Sequence, residues 1–406
     1  MSGQLTISRS PARLQAANLL LGMLPGVKRI AGLPDLASLH EISRQRAALT
    51  DFGSPGYLPG LEVLLDSLNR EVDLSPLGRM VIRRAIIGYL VNRLQIEQVM
   101  HHDATIAQEP IERPLFIVGL SRTGTTLLHN LLTLAPAHRA PRVWQLMQPA
   151  PGVDPNGPEA QMRIRKAERQ LFLLNTLVPQ LKTVHPIRAR DIEECYPFLN
   201  HTFTSPAFIM HYGVPAYANW LSKREPGEAE WVYQEYRRQL QILQQGRPRA
   251  RWVLKSAAHL MWLDSLLQVF PDAAIIQTHR DLQETLPSLC SMTACFRYLV
   301  NGNVNLRQLG PECLKQVRTV LSRARLSREG RSPCRFIDIE FTELVRDPVE
   351  VVRGIHDRLE LGWDSASDER LHLWVSRHPP HPHGIHRYSL EQFGLTSDEI
   401  DTINPL

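Results

Sequence analysis

Cysteine is scarce in this chain: five in 406 residues, with no two standing as C-x-x-C. So small and odd a set (Cys195, Cys290, Cys295, Cys313, Cys334) excludes a disulfide framework and a zinc ribbon. It reads as reduced thiols in a reducing, cytoplasmic compartment. Long apolar runs are missing too, and nothing approaches the roughly 18 residues of a membrane span. Residues 16–24, behind Arg9 and Arg13, faintly resemble a signal segment. No A-x-A cleavage site follows them; Pro25, Gly26, Lys28 and Arg29 do. They read as an amphipathic helix that packs on the protein rather than on a membrane surface. Runs of like charge are absent, and a net charge of +5 is too small to argue for nucleic acid. It suits a polyanionic small-molecule cofactor. Internal repeats and low-complexity linkers are lacking as well.

What the chain does have is residues 114–132, PLFIVGLSRTGTTLLHNLL. A four-residue apolar run has the length of a buried parallel strand. A small polar loop follows, and then leucines recur at helical spacing. Strand, glycine loop and helix together form a phosphate cradle, because loop N–H groups and the helix N-terminus converge on one point. Gly119, Gly124 and Thr126 match G-x-x-x-x-G-K-[ST], but Thr125 stands where the lysine belongs. That lysine neutralises a β/γ-phosphate, so its absence argues against ATP or GTP hydrolysis. A cation remains at Arg122.

The pattern [KR]-[ST]-G-T-T, here Arg122 to Thr126, resembles the 5′-phosphosulfate loop of the sulfotransferases. Those enzymes use 3′-phosphoadenosine 5′-phosphosulfate (PAPS) as sulfuryl donor, usually without a metal. The resemblance extends over residues 111–390 and is nearest to a divergent bacterial-type branch. RWVLKSAAHL at 251–260 and RYSLEQFGL at 387–395 carry it, with Ala257 where relatives usually have Pro. It implies an α/β fold, a P-loop-NTPase-like parallel sheet flanked by helices. A helical N-terminal region, 1–110, precedes an α/β domain, 111–406. Leu61, Leu64, Leu65 and Leu68, then Ile82, Ile86, Ile87, Leu90 and Leu94, give the N-terminal region its apolar stripes. Strands are expected at 115–118, near 252–255, at 273–278 and at 335–341, alternating with helices as in a parallel sheet. Residues 119–126, 255–259 and 279–281 then share the strand ends where such sheets bind ligands.

PAPS is anionic at both ends, so the resemblance implies two anion sites. The first comprises Ser121, Arg122, Thr123, Gly124, Thr125 and Thr126. Arg280 and Ser288 match the family's strand-Arg-x7-Ser element for the 3′-phosphate, and arginine offers a fixed fork of donors to it. Position 282 is Leu where relatives often have Pro. Pro287 is expected in the first turn of the following helix, where a missing N–H is harmless. Arg387, by position, would close over the 3′-phosphate.

Sulfuryl transfer to a hydroxyl needs a proton acceptor and a stabiliser of charge on the leaving oxygen. His259 is the expected base, with Glu194 or its neighbour Glu193 as rival. Arg122, with Thr125, Thr126 and Lys255, is expected to meet the leaving oxygen. Lys255 alternatively pairs structurally with Asp264 or Glu193. The aromatic segment with Phe203, Phe208, Tyr212, Tyr217 and Trp220 is core or acceptor pocket, core being the plainer reading. The small-molecule hydroxyl acceptor is then expected to be hydrophobic. The His- and Pro-rich tail at 376–388 reads as an active-site loop rather than a metal site. Two rivals stay open: a magnesium-dependent kinase or NTPase, for which Asp338 is the one candidate metal aspartate, and a non-catalytic nucleotide binder.

Overall fold

A computed structural model describes residues 10–23, 33–181, 185–329, 331, 335–378 and 388–403. Five parallel strands form its sheet: β1 (Leu115–Val118), β2 (His138–Arg139), β3 (Arg251–Lys255), β4 (Ala274–His279) and β5 (Phe336–Glu340), in the order β2-β3-β1-β4-β5. Strand β1 is central, pairing Leu115 with Val253 on one side and with Ala274 on the other. All four of its residues are buried, because both faces of the sheet are covered. Leu115 and Ile117 point to one apolar layer, with Leu128 and Leu131 of helix α5 (Thr125–Leu132) and Val352 of α10 (Pro348–Leu359). Phe116 and Val118 point to the other.

That second layer is the larger. It joins the sheet to α2 (Leu36–Ala47), α3 (Leu58–Arg70) and α4 (Pro76–His102), and to α7 (Glu230–Gln244). Leu61, Leu64, Ile82, Ile86 and Leu90 are all buried there, as their spacing requires. The N-terminal helices thus share one core with Phe116, Leu254 and Ile275. A third apolar layer gathers Leu14 of α1 (Ala12–Met23), the end of α6 (Pro158–Leu177), α8 (Leu282–Asn301) and α9 (Leu306–Arg328).

Helix α8 departs from expectation. Asp281 caps it, its side chain accepting from the Gln283 N–H at 2.8 Å, so Leu282 opens the helix. Pro287 therefore lies in the second turn, not the first, and its ring replaces the N–H that would bond the Gln283 carbonyl. Among the aromatics, Phe203, Phe208, Tyr212 and Tyr217 are buried in the large layer; Phe208 stacks on Tyr212 with centroids 5.7 Å apart, and the Tyr217 hydroxyl donates to the Phe203 carbonyl at 2.8 Å. They are core.

Candidate active site

The loop at 119–124 leaves the C-terminal end of β1, where the strand order reverses and α/β sheets present their crevice. Its path needs glycine. Gly119 has φ 150°, and a Cβ there would lie 2.3 Å from the Thr278 Oγ1; Gly124 has φ 89°, and its Cβ would meet Leu344 Cδ2 at 2.7 Å. Arg122 also adopts positive φ, at 72°. Thr123 turns inward, its hydroxyl 2.7 Å from the Leu120 carbonyl and 2.6 Å from the Thr278 Oγ1. Its side chain braces the loop against β4, leaving its backbone to face an anion. Thr125 is buried, Ser121 half-buried, and Arg122 and Thr126 exposed. Gly124 is the N-cap of α5, no side chain caps the helix, and its first turn carries no acid. Its first N–H groups are left for an anion.

Lys255, the last residue of β3, ties this loop to the acidic pair. Its side chain is 1% exposed, with Nζ 3.3 Å from Thr126 Oγ1, 2.9 Å from Glu194 Oε1 and 3.7 Å from Glu193 Oε1. Burial alone would pull the ammonium's pKa down, but the two carboxylates outweigh it and the net direction is up. Asp264 takes no part; it bonds Ser327 and Arg331 instead. Glu193 is anchored away from the loop. His185 Nε2 lies 3.2 Å from it, and the Glu194 N–H donates to its Oε1 at 2.7 Å. Burial acts to raise the Glu193 pKa, yet His185, Lys255 and that N–H bring it down to about 2. Glu194 is the more exposed of the pair, at 28% of its side chain. Two backbone bonds fix the segment: Glu193 N–H to the Pro141 carbonyl at 3.2 Å, and Cys195 N–H to the Lys255 carbonyl at 3.0 Å.

Arg280 follows β4 directly. Its Nη1 donates to the Arg122 carbonyl at 3.0 Å, and its guanidinium lies over the Phe341 ring, 4.0 Å from the centroid. Its Nε bonds Glu284 at 2.8 Å, one helical turn on. The second expected cation therefore sits against the loop that holds the first. Ser288 is buried in the second turn of α8. Arg387 and the histidines at 380–386 lie outside the described residues.

His259 is placed differently from the expectation. Residues Ala257–Trp262 form a 3-10 turn that folds its ring beneath Phe116, fully buried. Nε2 meets the Cys195 Sγ at 3.2 Å and Nδ1 meets the Tyr233 hydroxyl at 3.1 Å. Burial among aromatic rings drives its pKa down to about 3. Both ring nitrogens are engaged inside the core, beside the strand end next to Glu194. Sequence reading also passed over His185, Thr278 and Phe341, whose roles depend on contacts between distant segments. Asp338 is occupied by Arg328, at 2.8 and 2.7 Å, and by His279 at 2.7 Å. This leaves the NTPase reading without its metal aspartate.

A carboxylate and an anion cradle joined by a buried lysine, on a parallel sheet of this order, define a group-transfer enzyme. The sulfotransferase family model matches residues 114–365, and the chain belongs to the sulfotransferase family. It is 27% identical over 304 residues to omega-hydroxy-beta-dihydromenaquinone-9 sulfotransferase Stf3 of Mycobacterium bovis, across 72% of this chain and 74% of the relative. Stf3 of Mycobacterium tuberculosis matches to the same extent. Two solved structures share the fold over 91% of this chain. Sulfotransferase STF1 from Mycobacterium tuberculosis has a TM-score of 0.80, 28% identity and 98% of its own chain covered. Sulfotransferase STF9 from Mycobacterium avium has a TM-score of 0.82, 26% identity and 94% covered. The protein is therefore a sulfotransferase on a P-loop-NTPase-like fold.

Proposed function

We propose that this enzyme moves the sulfuryl group of PAPS to the hydroxyl of a small hydrophobic acceptor, giving PAP and a sulfate ester. The carrying observation is Lys255, whose Nζ stands 3.3 Å from Thr126 Oγ1 and 2.9 Å from Glu194 Oε1. When bound, PAPS supplies an activated sulfuryl group and a phosphate leaving group. The uncapped start of α5, with Ser121, Arg122, Thr125 and Thr126, fits its 5′ end. Arg280, held beside the Arg122 carbonyl, fits the 3′-phosphate, with Ser288 and Arg387 as its expected companions. Glu194 takes the acceptor's proton. Lys255 holds that carboxylate in the resting enzyme and meets negative charge growing at the loop, which loosens its grip on Glu194 as the proton is needed. All the positive charge in this scheme comes from the chain itself, so no metal is assigned.

The curated relative acts, by its name, on a hydroxylated menaquinone derivative, and this supports a hydrophobic alcohol as acceptor here. The four described cysteines, buried and unbridged, support a cytoplasmic setting. Thermal shift with PAP, PAPS, ATP and GTP, with and without magnesium, tests the donor. PAP should stabilise without metal, and Arg122→Ala and Arg280→Ala should each weaken that shift by about tenfold in apparent affinity. Better protection by ATP with magnesium would overturn the assignment.

A further inference from the structure

Helix α6 has an inner and an outer face of opposite character. On the inner face Ala160, Ile164, Ala167 and Leu171 pack against Val143, Trp144 and Ala189. The outer face carries Met162, Arg165, Lys166, Arg169, Phe172 and Leu173, at offsets of 3, 4, 7, 10 and 11 from Met162. That spacing puts all six on one stripe. Phe172 is 74% exposed, and Met162 and Leu173 are each 58% exposed. The three cations are exposed, and among the described residues none of them is in an ion pair. Glu168 lies off the stripe, and Glu159, at its edge, is taken by Arg163. Leu19, Leu20 and Met23 of α1, which packs beside α6, add more exposed apolar surface.

We propose that this face docks on an anionic lipid bilayer. A helix face that mixes large apolar side chains with three exposed cations, its one edge carboxylate held by Arg163, matches the boundary between acyl chains and negative headgroups. A purely apolar partner would leave three cations desolvated; a purely acidic one would leave Phe172 and Leu173 in water. The position has a consequence for the chemistry. The inner face of α6 packs on Ala189, and the Arg190 Nη2 donates to Gln161 Oε1 at 2.8 Å, so α6 backs the segment that carries Glu193 and Glu194. A bilayer on the outer face lies against the wall of the acceptor site. A membrane-borne alcohol then has a short way in. That consequence rests on the proposed acceptor class; the docking itself does not.

The test is co-sedimentation of the full chain with phosphatidylcholine vesicles, with and without phosphatidylglycerol. It needs neither acceptor nor turnover, so its failure is distinct from failure of the PAP thermal shift. The wild type should pellet with the anionic vesicles and be released by salt. Reversing Arg165, Lys166 and Arg169 to Glu should lower partitioning on the order of 100-fold. Phe172→Ser with Leu173→Ser should lower it at least about 10-fold. Unchanged PAP stabilisation of both variants shows that they are folded. The proposal is overturned if the wild type stays in the supernatant with every vesicle, or if the charge-reversed variant pellets like the wild type. It is equally overturned if sedimentation velocity shows a dimer that the Phe172→Ser, Leu173→Ser variant loses, with no vesicle binding. That result would assign the face to a second copy.

Discussion

Lys255 is the residue on which the two halves of the site depend. Its side chain is 1% exposed and bonded to groups 61 and 129 positions away, so it ties the two halves to each other. Removing its charge would leave Glu194 and Glu193 facing each other with less compensation, at a cost of several kcal/mol. Glu194 is the cleaner probe, its side chain 28% exposed and touching one cation. Glu194→Gln keeps the size and a contact to Lys255 while removing proton affinity. Turnover on a panel of hydrophobic alcohols should fall about 10²–10⁴-fold, with the PAP thermal shift nearly unchanged. His259→Ala should behave in the opposite sense. It opens a cavity under Phe116 and strips partners from the Cys195 thiol and the Tyr233 hydroxyl. The melting temperature should drop by an amount equivalent to about 2–4 kcal/mol, with PAP affinity retained in the folded fraction. A stable but inactive His259→Ala variant would return the base to this histidine.

At the scale of elements, the phosphate loop and four of the five strands were legible, and the reason is local; the two-residue β2 was not expected. In β1 the apolar run is unbroken because both of its faces are buried, and the glycines at 119 and 124 mark backbone that no other residue adopts easily. The start of α8 was misread because a proline suggests a first turn, whereas Asp281 had already capped the helix. His259 lies deeper than the sequence suggests for a different reason. Its neighbours Phe116, Cys195 and Tyr233 come from a strand, a loop and a helix far apart in the chain, and nothing in Ala257, Ala258 and Leu260 announces them. The loop gives a test of its own. Gly124→Ala must hold φ near 89° and place a methyl 2.7 Å from Leu344. Destabilisation of about 1–3 kcal/mol by urea unfolding, together with loss of the PAP shift, is expected. A variant that binds PAP as the wild type does would show that the tight turn is not what shapes the cradle.

At the scale of the whole molecule, several imidazoles among the described residues are held in the neutral form by burial, and that sets its response to acid. His259 and His129 are pushed down to about 3, and His138, His201 and His211 to about 4, burial being the largest cause in each. Their bonds fit the neutral form: His201 Nδ1 meets Gln239 Oε1 at 2.8 Å while the Asn92 amide donates to its other nitrogen, and His129 Nε2 meets the Val253 carbonyl at 3.1 Å. An unfolded histidine titrates near 6.5, so between that value and the folded one the unfolded chain binds more protons. Stability therefore rises with pH through this window and levels off above it. Each fully buried histidine costs about 1.4 kcal/mol for every pH unit below 6.5, down to its folded value. His185 runs the other way. Burial lowers its pKa, but Glu193 more than reverses this, so its contribution is present below 6.5 and fades as pH rises through its folded value. Glu193, at about 2, keeps its contribution until the pH falls below the ordinary carboxylate range. His40 and His356 are also lowered by burial, and one opposing histidine cannot offset the group. Urea midpoints should be flat or slightly falling above pH 7 and should drop steeply from pH 6.5 to 5, above the ordinary carboxylate range. Replacing His201 with Gln, which keeps a bonding amide between Asn92 and Gln239, should make that acid limb shallower by about one proton. An unaltered slope would mean that the buried histidines are not what the acid attacks.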